Sequence, residues 1–140
     1  MINISGVNES QLLNLGKLLA AALGCQGVVH LKGELGAGKT TLCRGILRAM
    51  GHSGAVKSQT FTLVEPYRFE SGDVFHFDFY RLGHPEELEY IVFEEEFGDR
   101  RFCLIEWPDK ASGYLPTHDL EISIDVCREK RNIGISAVSD

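Results

Sequence analysis

The sequence predicts one α/β domain, three layers deep, whose mixed and mostly parallel central sheet ends in an antiparallel hairpin. Three observations carry that expectation. Apolar residues recur at helical spacing in two segments. A short apolar strand runs straight into a glycine-rich turn that opens the second of these helices. The later apolar runs either alternate or are continuous, as strands do. The 140 residues favour a single domain covering 1–140. An apolar content of 44% is enough for a core without metal or disulfide support.

Each element follows in order. Asn8 followed by Gln11 is a helix start, the Asn side chain capping the backbone and the Gln reaching back. Leu12, Leu15, Leu18, Leu19 and Ala22 then keep helical spacing, and Gly24 is placed to end the helix. Val28 to Leu31 reads as a short buried strand. The helix beyond the glycine turn runs through Leu42, Ile46, Leu47 and Met50 to Gly51. Thr60 to Val64 is rich in β-formers. From Asp73 to Tyr80 the chain alternates, with Phe75, Phe77 and Phe79 on one face and Val74, His76, Asp78 and Tyr80 on the other. Pro85 presets the first turn of a short acidic helix, Glu86 to Tyr90. Phe102 to Ile105 is continuously apolar, as expected of a central strand buried on both faces. Leu120 to Val126 and Ile133 to Val138 alternate, and the polar stretch Arg128 to Asn132 joins them as a hairpin.

Composition excludes several classes. A net charge of −6 argues against a protein that mainly grips nucleic acid, since neutralising phosphates takes clustered Lys and Arg. Arg100-Arg101 and the Arg128 to Arg131 stretch read as turn decoration. No run of about eighteen apolar residues is present, so no membrane helix is expected. The N-terminus lacks a basic stretch followed by an apolar block, so a cytoplasmic location is expected. Cys25, Cys43, Cys103 and Cys127 form no CxxC pair and share no ligand spacing with the histidines, so buried reduced thiols and no structural metal are expected.

Gly33 to Thr40 fits G-x-x-x-x-G-K-[ST] at every required position, with a strand before it and a helix after it. The fold expected is therefore P-loop NTPase-like. Gly33, Gly36 and Gly38 allow backbone angles that turn successive N–H groups onto phosphate oxygens. Glu34, Leu35 and Ala37 complete the loop, and Thr41 follows it. The emerging helix adds its positive end. Lys39 brings charge to the β and γ phosphates, and the Thr40 hydroxyl is placed for Mg2+.

Hydrolysis also requires acids, and these belong at the C-terminal ends of strands beside the loop. Glu106, directly after Cys103-Leu104-Ile105, fits best, and Asp78 is the second candidate. A solvated acid on a half-exposed strand is the plain alternative for Asp78. Trp107 is the only tryptophan and follows Glu106; core packing and a wall of the nucleotide pocket both stand open for it. Thr60 lies where a loop hydroxyl senses the γ-phosphate in GTPases. Arg81 stands where it could act as an arginine finger or as half of an ion pair. No Asn-Lys-x-Asp tetrad is present to select guanine, and the chain has no room for a kinase lid plus a substrate domain. That leaves ATP favoured over GTP.

Four blocks in order resemble the TsaE (formerly YjeE) family: Gly33 to Thr41, Val56 to Tyr67, His76 to Leu82, and Leu104 to Pro108. The resemblance implies the ATPase component of the bacterial tRNA threonylcarbamoyladenosine (t6A37) apparatus, acting with TsaD and TsaB and meeting tRNA only through them. Lys39, Thr40 and Thr41 would match the family's loop residues. Asp78, Glu106 and Trp107 would match its functional acids and tryptophan, with Glu106 a second Mg2+ ligand. Glu9 would match a position near the nucleotide base. One departure is Gln59, where the family's loop carries proline; it leaves the loop before Thr60 less preset. A small-molecule kinase and a nucleotide-gated binding module are the competing functions.

Overall fold

The structure, a computed structural model, describes residues 1–54, 64–70, 72–88 and 102–137. A seven-stranded sheet runs in the order β1-β7-β6-β2-β5-β4-β3. Its strands are β1 (Ile2–Val7), β2 (Gly27–Lys32), β3 (Val64–Phe69), β4 (Gly72–Asp78), β5 (Phe102–Glu106), β6 (Leu120–Cys127) and β7 (Lys130–Ala137). The central pairs β6–β2, β2–β5 and β5–β4 are parallel. Antiparallel pairs, β1–β7 and β7–β6 on one side and β4–β3 on the other, flank them. The sheet is mixed, as expected, and the β6–β7 hairpin forms with Arg128 and Glu129 at its turn.

Two helices, α1 (Glu9–Leu23) and α2 (Lys39–Ala49), cover one face. The Asn8–Gln11 capping box is present in both directions, and Gly24 ends α1 in a left-handed conformation. Leu12, Leu19 and Ala20 of α1 and Leu42, Ile46 and Leu47 of α2 pack on Val29, Leu31, Leu104 and Ile122 of the sheet. Leu18 belongs to the apolar repeat but is 60% exposed, because it turns away from both α2 and the sheet. The helices touch through glycine: a Cβ on Gly45 would stand 2.2 Å from the Leu13 carbonyl oxygen. The opposite face packs Val28, Phe75, Phe77, Cys103 and Ile105 under Phe79, Leu82, Leu88 and Ala111. Two short 3-10 turns, Pro85–Leu88 and Pro108–Ala111, contribute to that third layer.

Four expectations are revised. β1 has no counterpart in the sequence pattern, because it is an edge strand whose side chains are mostly exposed and show no clear apolar alternation. The described β3, Val64–Phe69, continues past the expected end at Val64 and carries Pro66, which an edge strand tolerates; residues 60–63 lie outside the described residues. The turn at Pro85 is 3-10 rather than α-helical over its described part, and Glu89 and Tyr90 lie outside the described residues. Of the cysteines, Cys43 and Cys103 are buried, Cys25 is half-buried and Cys127 is exposed where the hairpin runs past the core.

Candidate functional site

Parallel register assembles the site. Leu31 of β2, Glu106 of β5 and Asp78 of β4 are neighbours in adjacent strands. The two acids and the glycine loop therefore leave the sheet at the same edge, where ligands bind in open α/β sheets. A cleft of about 290 Å³ opens there. Leu35, Gly36, Gly38, Lys39, Thr40 and Thr41 form its loop side, and Asp78, Tyr80, Arg81, Glu106, Trp107 and Arg131 form the rest.

The loop is shaped by glycine where it must be. Gly38, the N-cap of α2, has φ of +118°, which side-chain-bearing residues rarely adopt. A Cβ there would also stand 2.7 Å from Leu12 Cδ2. Ala37 is buried, while Leu35 is 70% exposed at the loop tip. Gly33 and Glu34 border a smaller adjoining depression with Trp107 and Asp109.

Lys39 is only 4% exposed. Its ammonium donates to the Gly33 carbonyl and, at 3.4 Å, to that of Glu34, and it sits 3.8 Å from the centre of the Trp107 indole. Burial lowers its pKa, against the opposing pull of Glu106 and Asp78. Thr40 Oγ1 donates to Glu106 Oε2 at 3.3 Å. Glu106 is 3% exposed, and His76 Nε2 lies 2.5 Å from the same oxygen. Asp78 accepts from the Tyr80 N–H at 3.0 Å. Its carboxyl is raised above the ordinary range, first by burial, the Tyr80 hydrogen bond opposing and Glu106 adding.

Trp107 has φ of +59°. Its N–H donates to the Leu31 carbonyl at 3.4 Å, and its ring lies 5.0 Å from that of Tyr80. It is thus a cleft wall and also packs on the second core, so the two readings of this residue are compatible. Arg131 reaches across from β7, its Nε donating to the Ala37 carbonyl at 2.8 Å.

The structure thus brings Lys39, Thr40, Asp78, Glu106 and Trp107 together. Glu9, at the first turn of α1, pairs with Arg44 at 3.7 Å and is not among the residues lining the cleft. Thr60 and Gln59 lie outside the described residues. Sequence reasoning missed His76, Tyr80 and Arg131 as site residues. His76 carried a signal: it shares a face with Asp78 inside an otherwise apolar strand, and a buried polar group needs a partner. Arg131 carries none, since in the sequence it reads as turn decoration; its contact with the loop exists only because β7 folds back past β6. Cysteine and histidine likewise meet without any linear spacing. Cys43 of α2, His76 and Glu106 are all buried, with ligand atoms within 4.8 Å of one another. Burial, then the charges of Glu106 and Asp78, holds the Cys43 thiol well above its usual range.

A strand, a glycine loop and a helix at the centre of a parallel-cored sheet make this a P-loop-type α/β protein. A family model described as "Threonylcarbamoyl adenosine biosynthesis protein TsaE" matches residues 7–133, and the chain belongs to the TsaE family. The chain is 49% identical over 110 residues to the tRNA threonylcarbamoyladenosine biosynthesis protein TsaE of Haemophilus influenzae, covering 79% of this chain and 70% of that one. Its identity with the protein of the same name from Bacillus subtilis is 33% over 135 residues, covering 96% and 84%. Among solved structures, Bacillus subtilis YdiB superposes with a TM-score of 0.79 at 29% identity, covering 99% of this chain and 86% of that one. No helix among the described residues is long and apolar enough to cross a membrane.

Proposed function

We propose that this chain binds ATP with Mg2+ in the cleft and hydrolyses it in the cytoplasm. In this reading it is the ATPase of the tRNA N6-threonylcarbamoyladenosine apparatus, acting with TsaD and TsaB and touching tRNA only through them. Family membership supports the pathway. The chemistry rests on one observation: Thr40 Oγ1 and Glu106 Oε2 stand 3.3 Å apart at the start of the helix that the glycine loop opens.

That spacing suits two oxygen donors that would share one small hard cation. Thr40 and Glu106 would hold Mg2+, which when bound supplies neutralisation of charge on the phosphates. Lys39 exchanges the Gly33 and Glu34 carbonyls for the β and γ phosphates. His76 fixes the Glu106 carboxylate from behind. Asp78, with its raised affinity for a proton, orients the attacking water and accepts its proton. Thr60 acts as the sensor of the γ-phosphate, and Trp107 walls the pocket.

Phosphate release tests the reading, measured for the isolated protein, with TsaD and TsaB added, and for Glu106→Gln under both conditions. The expected result is slow release alone, a large gain with the partners, and loss in Glu106→Gln that exceeds its loss of ATP affinity. Wild-type turnover by Glu106→Gln in the assembled complex would remove Glu106 from the mechanism.

A further inference from the structure

Three side chains with chemically different donors converge beside the phosphate loop. Cys43 comes from α2, His76 from β4 and Glu106 from β5, and all three elements belong to the packed core. Cys43 and His76 are fully buried and Glu106 nearly so. Their sulfur, imidazole nitrogen and carboxylate oxygen lie within 4.8 Å of one another. We infer that Cys43 Sγ, His76 Nε2 and a Glu106 carboxylate oxygen form a binding site for a borderline-soft divalent cation of the zinc class.

The geometry needs side-chain shifts of about 1 Å. Around tetrahedral zinc, sulfur sits at about 2.3 Å, nitrogen at about 2.0–2.1 Å and carboxylate oxygen at about 2.0–2.2 Å, so the donors stand roughly 3.3–3.7 Å apart. His76 Nε2 and Glu106 Oε2, now 2.5 Å apart, separate to about 3.4 Å as the cation replaces the proton between them. The sulfur, no more than 4.8 Å from the other two donors, closes to about 3.5 Å. Three protein donors leave a fourth position, open to water or to the Thr40 hydroxyl that already meets Glu106. Glu106 also lines the cleft, which supplies the entry path. Binding is a ligand exchange. The thiol proton goes to solvent, the imidazole carries its proton on Nδ1, and no electrons move.

Donor type separates this site from the proposed magnesium position. Thiolate and imidazole suit Zn2+ or Co2+, whereas Mg2+ takes oxygen. Both sites draw on the Glu106 carboxylate, so a zinc-class ion held by Cys43 and His76 takes from Thr40 its partner for Mg2+. That consequence rests on the proposed ATP·Mg2+ reading; the metal site itself does not.

The test begins with wild-type protein stripped of metal by a chelator and kept reduced, then titrated with Co2+. One equivalent is expected to raise a near-ultraviolet sulfur-to-cobalt charge-transfer absorption, bleached by stoichiometric Zn2+ and unchanged by excess Mg2+. Cys43→Ser should lose the absorption and Cys127→Ser, at the exposed cysteine, should keep it. X-ray absorption of the zinc-loaded wild type needs no substitution and should show one sulfur at about 2.3 Å with nitrogen or oxygen near 2.0–2.2 Å. No absorption, an absorption that survives Cys43→Ser, or a zinc shell with no sulfur or with several would overturn the site. In the TsaD–TsaB assay, zinc should stop phosphate release and a chelator restore it. Zinc bound with release unaffected would overturn the sharing of Glu106. No release by metal-free protein supplied with Mg2+ would count against the ATPase reading while the spectroscopic result stands.

Discussion

Lys39 occupies a parked position, its ammonium spent on two loop carbonyls and on the indole face of Trp107. Phosphate is the stronger partner, because a charge-assisted bond to an anion exceeds one to a neutral carbonyl. Nucleotide binding should therefore lift the cation off Trp107, and the single tryptophan should change its emission when ATP and Mg2+ are added. In Lys39→Ala the emission should already be altered without nucleotide, and calorimetry should show ATP binding weakened about ten- to hundredfold, the range for losing one charged hydrogen-bond donor. A silent wild-type spectrum at saturating nucleotide would return Trp107 to packing alone. His30 behaves in the opposite sense from a paired histidine. Its Nε2 is buried with no hydrogen-bond partner among the described residues, and its ring lies 4.6 Å from that of His118. Burial first, then His118 and Lys32, lower its pKa from 6.5 to about 4, against Glu121 and Asp109. Between those values the unfolded chain binds a proton that the folded chain refuses, so stability falls as pH falls from 6.5 towards 4. The slope should stay below the roughly 1.4 kcal/mol per pH unit that one proton allows, since the ring is only partly buried. Denaturant titrations across that range should show a flatter pH dependence for His30→Leu, and an unchanged one would mean that the ring is solvated.

At the scale of elements, α2 has two tasks that compete for space. Its first turn must aim N–H groups and Lys39 at the cleft, and its middle must lie close against α1. Gly45 makes the second task feasible, since a Cβ would stand 2.2 Å from the Leu13 backbone oxygen, and Gly16 is tight against the Leu42 carbonyl in return. Helix propensity alone favours alanine at position 45 by about 1 kcal/mol. The obstruction is backbone and cannot swing aside, so overpacking should win and Gly45→Ala should lose about 1–3 kcal/mol. A lower urea midpoint is the measurement, and a raised midpoint would mean that the helices lie farther apart. The same shift should reach the loop, because Leu12 of α1 lies where a Cβ on Gly38 would stand, 2.7 Å from that position.

On the scale of the whole molecule, positive charge around the cleft is partly committed. Lys39 is bound to the loop carbonyls, and Arg131 spends its Nε on the Ala37 carbonyl, steadying the loop from the far hairpin. Arg81 is exposed at the cleft rim. Transition-state charge on a γ-phosphate takes donors beyond the loop lysine, and in P-loop enzymes a partner often contributes them, raising turnover by about 10³–10⁵. Partner-dependent turnover of that order is therefore expected here. Full activity in isolation, with no gain from TsaD and TsaB, would show that Arg81 and Arg131 suffice.

Local chemistry made several parts legible in advance. The glycine loop reads directly because its turn demands backbone angles that only glycine adopts freely, and Gly38 has φ of +118°. The capping box of α1 spans only four residues, and the continuous apolar run Phe102 to Ile105 of β5 needs no partner to be recognised as central. Tertiary structure decided the rest. Parallel register of β2, β5 and β4 brings Leu31, Glu106 and Asp78 to one edge. It also sets His76 against Glu106, and helix packing adds Cys43, with no linear spacing to announce either. Arg131 meets the loop across 94 residues, and β1 is a strand only because β7 offers it hydrogen bonds. The physical reason is common to all of these. Backbone angle, cap and periodicity act within a few residues and are written in the sequence, whereas which side chains meet depends on strand order and register, which the packed sheet selects.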